Sequence, residues 1–552
     1  MTDNKAYKIF NESRDKVMYR KLINCLLIPS LLITLFASPY SADASVNDVH
    51  LSYLYGSSSS NYLKNLDLAS GALNTATPLF FELNADGSLK NIIDKNLVQE
   101  LHKRGLKVVP FISNHFDRKL GQIAMKNRES LSTQLVDAVV KNNLDGLDVD
   151  IENLNHTDKA DFTDFIRLLR EKMPKDKTLS IAVAANPNGW TSGWHGSYDF
   201  LKLSNYTDYL MIMAYDESWN GGPAGPVASL SFVENSIKYI LKQGVDSKKV
   251  VLGLPFYGRF WNDSESQGGY GVSNKNVSNL VSKYKGKVYF DNASKSPYAK
   301  FTVKSNDSPT YINGKQLTPG NYTLWYENDL SLKYKLRLVK KYNIRGTGSW
   351  SLTQEEPKIW NFYSSWANGK HNFIDSENHW AEEDIMFLYN KGWIKGKNEY
   401  MFDPNSFLTR AQAVSILTKA IGLNDKNEPV PNYFTDVPTD HWAKTAIELA
   451  HKYNIVNGTK PNIFEPNSQV TRAQLSAIMA RILDYPLDTT IKSPFSDVQK
   501  EHWAYEEILK LSSKGIIKGK EDGGFYPNDF VTRAQVAAMV NRASADLEKY
   551  PK

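Results

Sequence analysis

The chain has 552 residues, of which 41% are hydrophobic and 23% charged, and its 66 Lys and Arg against 60 Asp and Glu give a formal net charge of +6. This length exceeds what one compact core holds and predicts about two to four domains, while the ordinary composition excludes wholesale disorder and a polytopic membrane protein. The small basic excess is spread along the chain and carries no nucleic-acid signature, although it suits an anionic wall polymer.

The N-terminal segment has the order of a secretory signal peptide. Basic residues between positions 14 and 21 precede an apolar run at 22–36, and small residues follow as far as Ala44. A run of about fifteen residues is shorter than the roughly twenty of a spanning helix, so we expect cleavage after Ala42 or Ala44 and no retained membrane segment. Cys25 lies inside this segment at 1–44, so the mature, secreted chain is expected to have no disulfide.

Between residues 45 and 370, short apolar runs alternate with helix-like stretches. Eight such runs predict an α/β fold, a (β/α)8 TIM barrel with parallel strands. The predicted strands are Val49–Tyr55, Pro78–Leu83, Lys107–Ile112, Leu144–Glu152, Leu179–Ala185, Tyr209–Tyr215, Lys249–Tyr257 and Arg345–Trp350. The gap at about 260–326 is too long for one loop and contains further strand-like runs, so we expect a small α+β insertion there, between strands seven and eight, forming one wall of a cleft.

The fourth predicted strand ends in a cluster of acidic residues. Asp148, Asp150 and Glu152 have the same parity, so on a strand their side chains point to one face, which in a barrel is the interior. Like charges held so close raise at least one pKa toward the value that a general acid needs at neutral pH. Glu152 lies nearest the C-terminal end of the strand, where barrels have their catalytic mouth. A calcium site and a solvated acidic strand are the other interpretations of this cluster.

The segment from Asp145 to Glu152 reads Asp-x-x-Asp-x-Asp-x-Glu and resembles the signature of family 18 glycoside hydrolases. Met213-Ala214-Tyr215-Asp216, Pro255-Phe256-Tyr257-Gly258-Arg259 and Trp350, at the ends of strands six to eight, extend the resemblance over nearly all of 46–370. It implies a retaining, substrate-assisted cleavage of β-1,4 bonds after N-acetylglucosamine, in which the sugar's own acetamido group forms an oxazolinium. It implies no metal and no organic cofactor, and chitin or peptidoglycan glycan strands as the substrate.

The resemblance also implies roles for individual residues. Glu152 would protonate the leaving oxygen, Asp150 would orient the acetamido nitrogen, and Asp148 would tune Asp150. Tyr215 would donate its hydroxyl to the acetamido oxygen. The candidate substrate-binding residues are Met213, Asp216, Trp350 as the floor under the distorted ring, Tyr55 and Asn114, and further candidate sugar platforms are Trp190, Trp194, Trp219 and Trp325. Asp145 has the opposite parity and is expected to pack the strand end.

The third strand departs from the chitinase pattern of the family. Chitinases usually carry Ser-x-Gly-Gly there, whereas this chain has Pro110-Phe111-Ile112-Ser113-Asn114-His115. The segment is closer to the branch with spore-cortex and peptidoglycan glucosaminidases. Asn114 is interpreted either as a residue that lines the site or as a satisfied turn residue.

A threefold repeat occupies the C-terminal third, at 371–425, 430–487 and 491–548. The evenly spaced Asp375, Asp436 and Asp497 each precede His-Trp-Ala, and each unit ends in Thr-Arg-Ala-Gln. The Thr and the Gln three residues later form a capping box, so each unit is predicted to be helix, turn and helix.

These repeats resemble the S-layer homology family, which implies an all-α bundle that binds pyruvylated secondary cell-wall polysaccharide in grooves between repeats. The implied polymer-binding residues are Arg410, Arg472 and Arg533 together with Trp380, Trp442 and Trp503. A guanidinium can hold the carboxylate of a pyruvyl ketal bidentately. Alternatively the arginines are solvated helix residues, and core packing is the favoured interpretation of the tryptophans. All three motifs end in Gln where the family usually has Glu, which removes an ion pair.

Together these segments predict a secreted enzyme attached to the bacterial cell wall or S-layer. A wall-bound enzyme meets peptidoglycan first, which favours peptidoglycan over chitin. Two alternatives belong to other classes: a non-catalytic wall lectin and a structural S-layer protein. Lectins with this barrel typically lack the acid, whereas Glu152 is present here.

Overall fold

The computed structural model describes residues 48–69, 71–423 and 429–550. The predicted signal peptide, with Cys25, Ala42 and Ala44, lies outside these residues. Within the described ranges, no helix has the length and apolar character needed to cross a membrane.

Strands and helices are numbered in chain order. The strands are β1 (Val49–Leu54), β2 (Thr75–Leu83), β3 (Leu89–Asn91), β4 (Lys107–Val108), β5 (Phe111–Ser113), β6 (Gly146–Asp150), β7 (Thr178–Ala184), β8 (Tyr209–Met213), β9 (Val250–Pro255), β10 (Tyr257–Asn262), β11 (Tyr270–Ser273), β12 (Lys287–Asp291), β13 (Ser296–Val303), β14 (Tyr311–Ile312), β15 (Lys315–Gln316), β16 (Gly320–Trp325) and β17 (Gly346–Trp350). The helices that follow barrel strands or lie in the insertion are α1 (Ser59–Leu68), α2 (Lys95–Lys103), α3 (Arg118–Lys126), α4 (Arg128–Lys141), α5 (Lys159–Lys172), α6 (Phe200–Tyr206), α7 (Leu230–Lys242), α8 (Asn274–Lys283), α9 (Asp329–Lys341) and α10 (Tyr363–Ala367). The repeats contain α11 (Glu382–Asn390), α12 (Arg410–Ala420), α13 (Lys444–Lys452), α14 (Arg472–Leu483), α15 (Tyr505–Ser513), α16 (Arg533–Arg542) and α17 (Ser544–Leu547).

The predicted parallel barrel is confirmed. Its strands pair in the order β1, β2, β5, β6, β7, β8, β9 and β17, and β17 pairs with β1 to close the sheet. Each predicted apolar run forms one of these strands, and the third is divided into β4 and β5 around Pro110, which has no N–H for the ladder. The helices cover the outer face, where Leu147, Val149 and Ile151 are buried against them. Parallel strands align their C-terminal ends at one mouth, so side chains from distant segments meet there.

The predicted insertion is also confirmed, and it adds a wall beside this mouth. A five-stranded antiparallel sheet has the order β11, β10, β16, β13, β12, with α8 packed against it and the small hairpin β14–β15 nearby. Its junction with the barrel contains a fully buried ion pair, in which Lys335 Nζ on α9 donates to Glu327 Oε2 at 2.6 Å. A contact that excludes water therefore anchors the chain at the point where it returns from the insertion to the barrel.

The C-terminal repeats form a helical bundle with the predicted capping boxes at Thr409, Thr471 and Thr532. The bundle closes on itself through a ring of three backbone hydrogen bonds of 3.1 Å, from Leu408 N–H to Val531 O, from Val531 N–H to Val470 O and from Val470 N–H to Leu408 O. Each repeat donates to one neighbour and accepts from the other. The three units therefore form a closed, pseudo-threefold arrangement.

The repeated aspartates have a structural role that the sequence pattern did not reveal. Asp375, Asp436 and Asp497 each accept two backbone N–H groups from the Phe-x-Pro turn of the same repeat, at 2.6–2.8 Å. Carboxylate acceptors make short, strong hydrogen bonds with N–H groups. Each aspartate thus ties the beginning of its repeat to the turn that precedes the second helix.

The first repeat contacts the barrel along α9. Lys333 Nζ donates to Glu377 at 2.5 Å, and Arg337 Nη1 donates to Glu399 at 3.2 Å. The rings of Tyr334 and Tyr400 pack edge to face with centroids 4.8 Å apart. Helix α9 thus belongs to the barrel and also contacts the first repeat.

Candidate active site and inter-repeat grooves

Asp150 at the end of β6 and Glu152 just beyond it line a cleft of about 960 Å³ at the barrel mouth, whereas Asp148 lies outside the cleft lining. Asp148 is the deepest and accepts hydrogen bonds on both oxygens, from Tyr53 Oη at 2.7 Å and from Ser180 Oγ at 2.5 Å. Burial raises the pKa of Asp148 to about 6, although the two hydroxyl donors favour its charged form. Because both oxygens serve hydroxyl donors, this carboxylate is held by the protein, which does not suit the calcium interpretation.

Asp150 faces the cleft with a carboxylate oxygen that has no partner. Its side chain is 4% exposed, and Oδ1 accepts no hydrogen bond. Burial raises its pKa well above the usual value, and the neighbouring Glu152 and Asp148 raise it further. An unsatisfied buried acceptor costs about 1–3 kcal/mol, so Asp150 is poised to receive a donor from a ligand.

Glu152 follows the last residue of β6 by two positions and lines the same cleft. Burial raises the pKa of Glu152 to about 7, and the charge of Asp216 contributes to the rise. A carboxyl group with this pKa holds its proton close to neutral pH and can also release it there. Glu152 therefore has the protonation behaviour of a general acid.

Asn114 holds the backbone of Glu152. Its Oδ1 accepts the Glu152 N–H at 2.9 Å, and its Nδ2 donates to the Glu152 carbonyl at 2.8 Å and to the Asp117 carbonyl at 2.9 Å. The side chain is 0% exposed and is not in the cleft wall. The predicted substrate contact of Asn114 is thus corrected to a contact with the backbone of Glu152, because the amide is fully used inside the protein.

Tyr215 and Asp216 extend the site from the end of β8. The Tyr215 hydroxyl is buried without a hydrogen-bond partner. Asp216 Oδ1 accepts from Tyr257 Oη at 2.6 Å and from Arg259 Nε and Nη2 at 2.9 and 2.7 Å. Asp216 has a left-handed φ of 59°, a conformation that non-glycine residues rarely adopt and that these three donors support. Met213 of the same strand also lines the cleft.

Aromatic rings form the floor and rim of the cleft. The Trp350 ring packs on Tyr53 and Tyr55, with centroid distances of 5.3 and 5.2 Å, and faces the cleft. Three of the predicted platforms, Trp190, Trp194 and Trp219, line the cleft. Trp325 instead packs on Tyr298 in the sheet of the insertion, with a centroid distance of 4.7 Å.

Several site residues were missed by the sequence reasoning. They are Tyr53, Ser180, Arg259, Glu217 and Gln354. Arg259 stands in the seventh-strand motif and could have been recognised as a partner of Asp216. Tyr53 and Ser180 have no sequence signal of their own, because only the pairing of strands brings them to Asp148.

Asp145, as predicted, packs the strand end, where its Oδ2 contacts His102 Nε2 at 2.8 Å and accepts the Val108 N–H at 2.7 Å.

The arginines of the repeats lie between repeats rather than in solvent. Nε and Nη2 of Arg410, Arg472 and Arg533 each donate to backbone carbonyls of the next repeat, at 2.6–3.1 Å. Each guanidinium also lies over a phenylalanine ring of that repeat, 4.3–4.7 Å from its centroid. The interpretation as solvated helix residues is therefore wrong, because these groups close the bundle.

The tryptophans of the repeats are exposed, and their interpretation as core residues is wrong. Trp380, Trp442 and Trp503 are 63%, 64% and 59% exposed. Trp380 lines a groove of about 200 Å³ together with Arg472, Lys518, Lys520, Gln535 and Arg542, so residues from all three repeats meet there. An exposed indole beside cationic side chains suits a carbohydrate that carries negative charge.

Comparison with known proteins agrees with this arrangement. Residues 52–355 match the family described as Glycosyl hydrolases family 18, and residues 372–414, 433–476 and 494–537 match the S-layer homology domain. The uncharacterized glycosylase YvbX of Bacillus subtilis is 25% identical over 350 residues, which cover 61% of this chain and 96% of that protein. The cortical fragment-lytic enzyme of Bacillus subtilis is 24% identical over 262 residues, 46% of this chain and 57% of that protein. The structure of a chitinase from Chromobacterium violaceum has the same barrel fold, with a TM-score of 0.51 and 22% identity over 58% of this chain and 98% of that one.

We expect Asn114→Ala to lower kcat more than about tenfold with little change in KM, because the Glu152 backbone loses both of its side-chain contacts. The matched control is Asn74→Ala at the opposite end of the barrel, where Asn74 accepts the His50 N–H and donates to the Asp48 carbonyl. Steady-state kinetics on chitin oligomers measures both variants. An equal loss of kcat in the two variants would contradict a positioning role for Asn114.

Proposed function

Because the chain belongs to the glycosyl hydrolases of family 18, we propose that it cleaves β-1,4 bonds after N-acetylglucosamine in peptidoglycan or chitin by a retaining, substrate-assisted mechanism. The observation that carries this proposal is a pair of unsatisfied polar atoms in one cleft, Asp150 Oδ1 and the Tyr215 hydroxyl. One is an acceptor and the other a donor, which matches the N–H and C=O of an acetamido group. Both atoms are left unpaired at a cost in stability that a bound N-acetyl group would remove.

The first step uses Glu152 as the acid. Its proton passes to the glycosidic oxygen while the acetamido oxygen attacks the anomeric carbon, so the glycosidic bond breaks as the oxazolinium ring forms. Asp150 accepts the acetamido N–H and stabilises the positive charge that develops on the nitrogen. A water molecule then attacks the same carbon from the side that the leaving group vacated, and Glu152 takes its proton. The bond between this carbon and the acetamido oxygen breaks, so the acetamido group is restored. Two inversions at the anomeric carbon give net retention.

Asp148 supports this step from below. Its two hydroxyl partners hold it in place beneath Asp150, and its negative charge is one cause of the raised pKa of Asp150. The positive charge that forms on the acetamido nitrogen offsets this repulsion and stabilises Asp150 as an anion. This arrangement argues against a lectin, for which no buried acid beside the bound sugar is required.

The S-layer homology repeats attach the enzyme to the cell surface. We infer that the repeats bind a pyruvylated secondary wall polysaccharide and that the chain is secreted. The groove at Trp380 supports this with its four basic side chains. The position on the wall favours peptidoglycan as the substrate, as does the relative named cortical fragment-lytic enzyme.

The central experiment compares Glu152→Gln with the parent protein on chitin oligomers and purified peptidoglycan. Loss of the acid is expected to lower kcat by about 10²–10⁴-fold, because Gln has no proton to donate to the leaving oxygen. Glu129→Gln, at a residue whose side chain is 73% exposed, is the control. Mass spectrometry of the new reducing ends identifies the bond. N-acetylmuramic acid ends in peptidoglycan, or full activity of Glu152→Gln, would refute the proposal.

The activity should also depend on pH through Glu152. The raised pKa of about 7 means that the acid keeps its proton below neutral pH and loses it above, so kcat/KM should fall as pH rises through about 7. Asp216→Asn removes a negative charge that raises this pKa and leaves Arg259 unbalanced, so the alkaline limb should move to lower pH. The control is Asp176→Asn, whose side chain is 75% exposed. Identical alkaline limbs in the two variants would contradict this assignment.

For the wall polymer, Trp380→Ala and the double variant Lys518→Ala/Lys520→Ala should each weaken binding to purified walls about tenfold or more, because these side chains line the groove without closing the bundle. Lys549→Ala, at a side chain that is 75% exposed elsewhere on the bundle, is the control. Sedimentation with native walls and with walls depyruvylated by mild acid measures the effect. Undiminished binding to depyruvylated walls would exclude the ketal as the recognised group.

A further inference from the structure

The cleft contains more acidic groups than its chemistry uses. Among the described residues that line it, Asp150, Glu152, Asp216 and Glu217 are acidic, whereas the basic side chains are Arg259 and His195. Glu217 is outside the strand that carries the reacting carboxyls. Its Oε2 accepts the Ser229 N–H at 2.7 Å, which fixes the side chain at the beginning of α7.

The basic side chains of the cleft are not offered to a ligand. Nε and Nη2 of Arg259 donate hydrogen bonds to Asp216, and its Nη1 donates to the Gly269 carbonyl at 2.7 Å. Burial lowers the pKa of His195, so its ring is neutral at neutral pH. Among the described residues of the cleft wall, a ligand carboxylate would therefore find no cation that lacks a partner in the protein. The negative charge it would meet is that of Glu217, because Asp216 is paired with Arg259 and the raised pKa values of Asp150 and Glu152 reduce their negative charge.

This matters because the two candidate glycans differ in charge. Chitin is uncharged, whereas a peptidoglycan strand carries a lactyl group on every second sugar. The carboxyl of that group is neutralised when it is in an amide bond and is an anion when it is free. A site rejects a ligand that places an unpaired charge among like charges, and in a partly buried cleft the repulsion is stronger than in water.

We propose that the cleft selects N-acetylated glycan segments that carry no free carboxylate, and that Glu217 is a specificity-determining residue for this selection. The proposal rests on the proposed function and specifies its substrate class. The unpaired Asp150 Oδ1 and Tyr215 hydroxyl recognise the neutral acetamido group, while the Glu217 carboxylate disfavours an anion in the same cleft. Amide-capped muramyl strands and chitin oligomers are accepted, and strands with bare lactyl groups are rejected.

The test uses pairs of substrates that differ only in charge. Peptidoglycan strands stripped of peptide by an amidase carry free lactyl carboxylates, and carbodiimide coupling to methylamine converts these to neutral amides. A second pair is made from chitin oligomers oxidised at C6 to the carboxylate and then converted to the methylamide. We expect kcat/KM for each neutral member to exceed that for its charged partner at least about tenfold. Added salt should narrow the difference, because it screens the repulsion.

Glu217→Gln removes one charge while keeping an oxygen for the Ser229 N–H, so it should reduce the ratio of neutral to charged kcat/KM in both pairs. Glu129→Gln should leave that ratio unchanged. Equal cleavage of charged and neutral members, or a ratio that Glu217→Gln does not change, would overturn the charge selection while the glycosidase function stands. If the protein cleaves none of the four substrates and does not cleave unmodified chitin oligomers, the proposed function itself is overturned.

Discussion

The active site depends on burying the carboxyl groups of Asp148 and Asp150 along one face of β6, with Glu152 just beyond the end of the strand. An isolated buried charge costs much free energy of folding. The barrel therefore supplies hydroxyl donors to Asp148 at the deep end of the cluster, and protonation neutralises part of the remaining carboxyl groups. Asp148 receives Tyr53 and Ser180, whereas Asp150 is left with an unpaired oxygen. Protein partners thus decrease in number from the deep end to Asp150, whose carboxylate is left open to the cleft.

The other face of the strand makes this burial possible. Leu147, Val149 and Ile151 are almost completely inaccessible and join the core between the sheet and its helices. Fully burying side chains of this kind contributes about 1.5–3 kcal/mol each, which offsets part of the cost of the acids. The alternation along β6 therefore serves both stability and chemistry, and a shift in register by one residue would exchange the two faces.

The sequence was sufficient to predict the barrel, the insertion and the triple repeat, because each has a periodic or spaced signal. It was also sufficient to locate Glu152 at the mouth. It could not show whether Asn114 lines the cleft or hydrogen-bonds the backbone of Glu152, because an amide side chain suits both roles. Only the pairing of β5 with β6 brings Asn114 next to Glu152. The sequence also predicted the wrong environment for Trp380. The size of an indole favours the core, but the packing of the three repeats, which the sequence does not show directly, leaves this side chain exposed.

Arg472 contributes to the fold and also lies in the groove that we propose binds the wall polymer. Arg472 uses two nitrogens to hold the third repeat and also lines the groove beside Trp380. Losing this arginine would remove contacts between repeats as well as a cation in the groove. Affinity and bundle integrity are therefore inseparable at the arginines but separable at the exposed tryptophans. The motif's arginine is needed for the contacts between repeats, so under the proposed function it is exposed neighbours such as Lys520 that can change wall affinity without loss of these contacts.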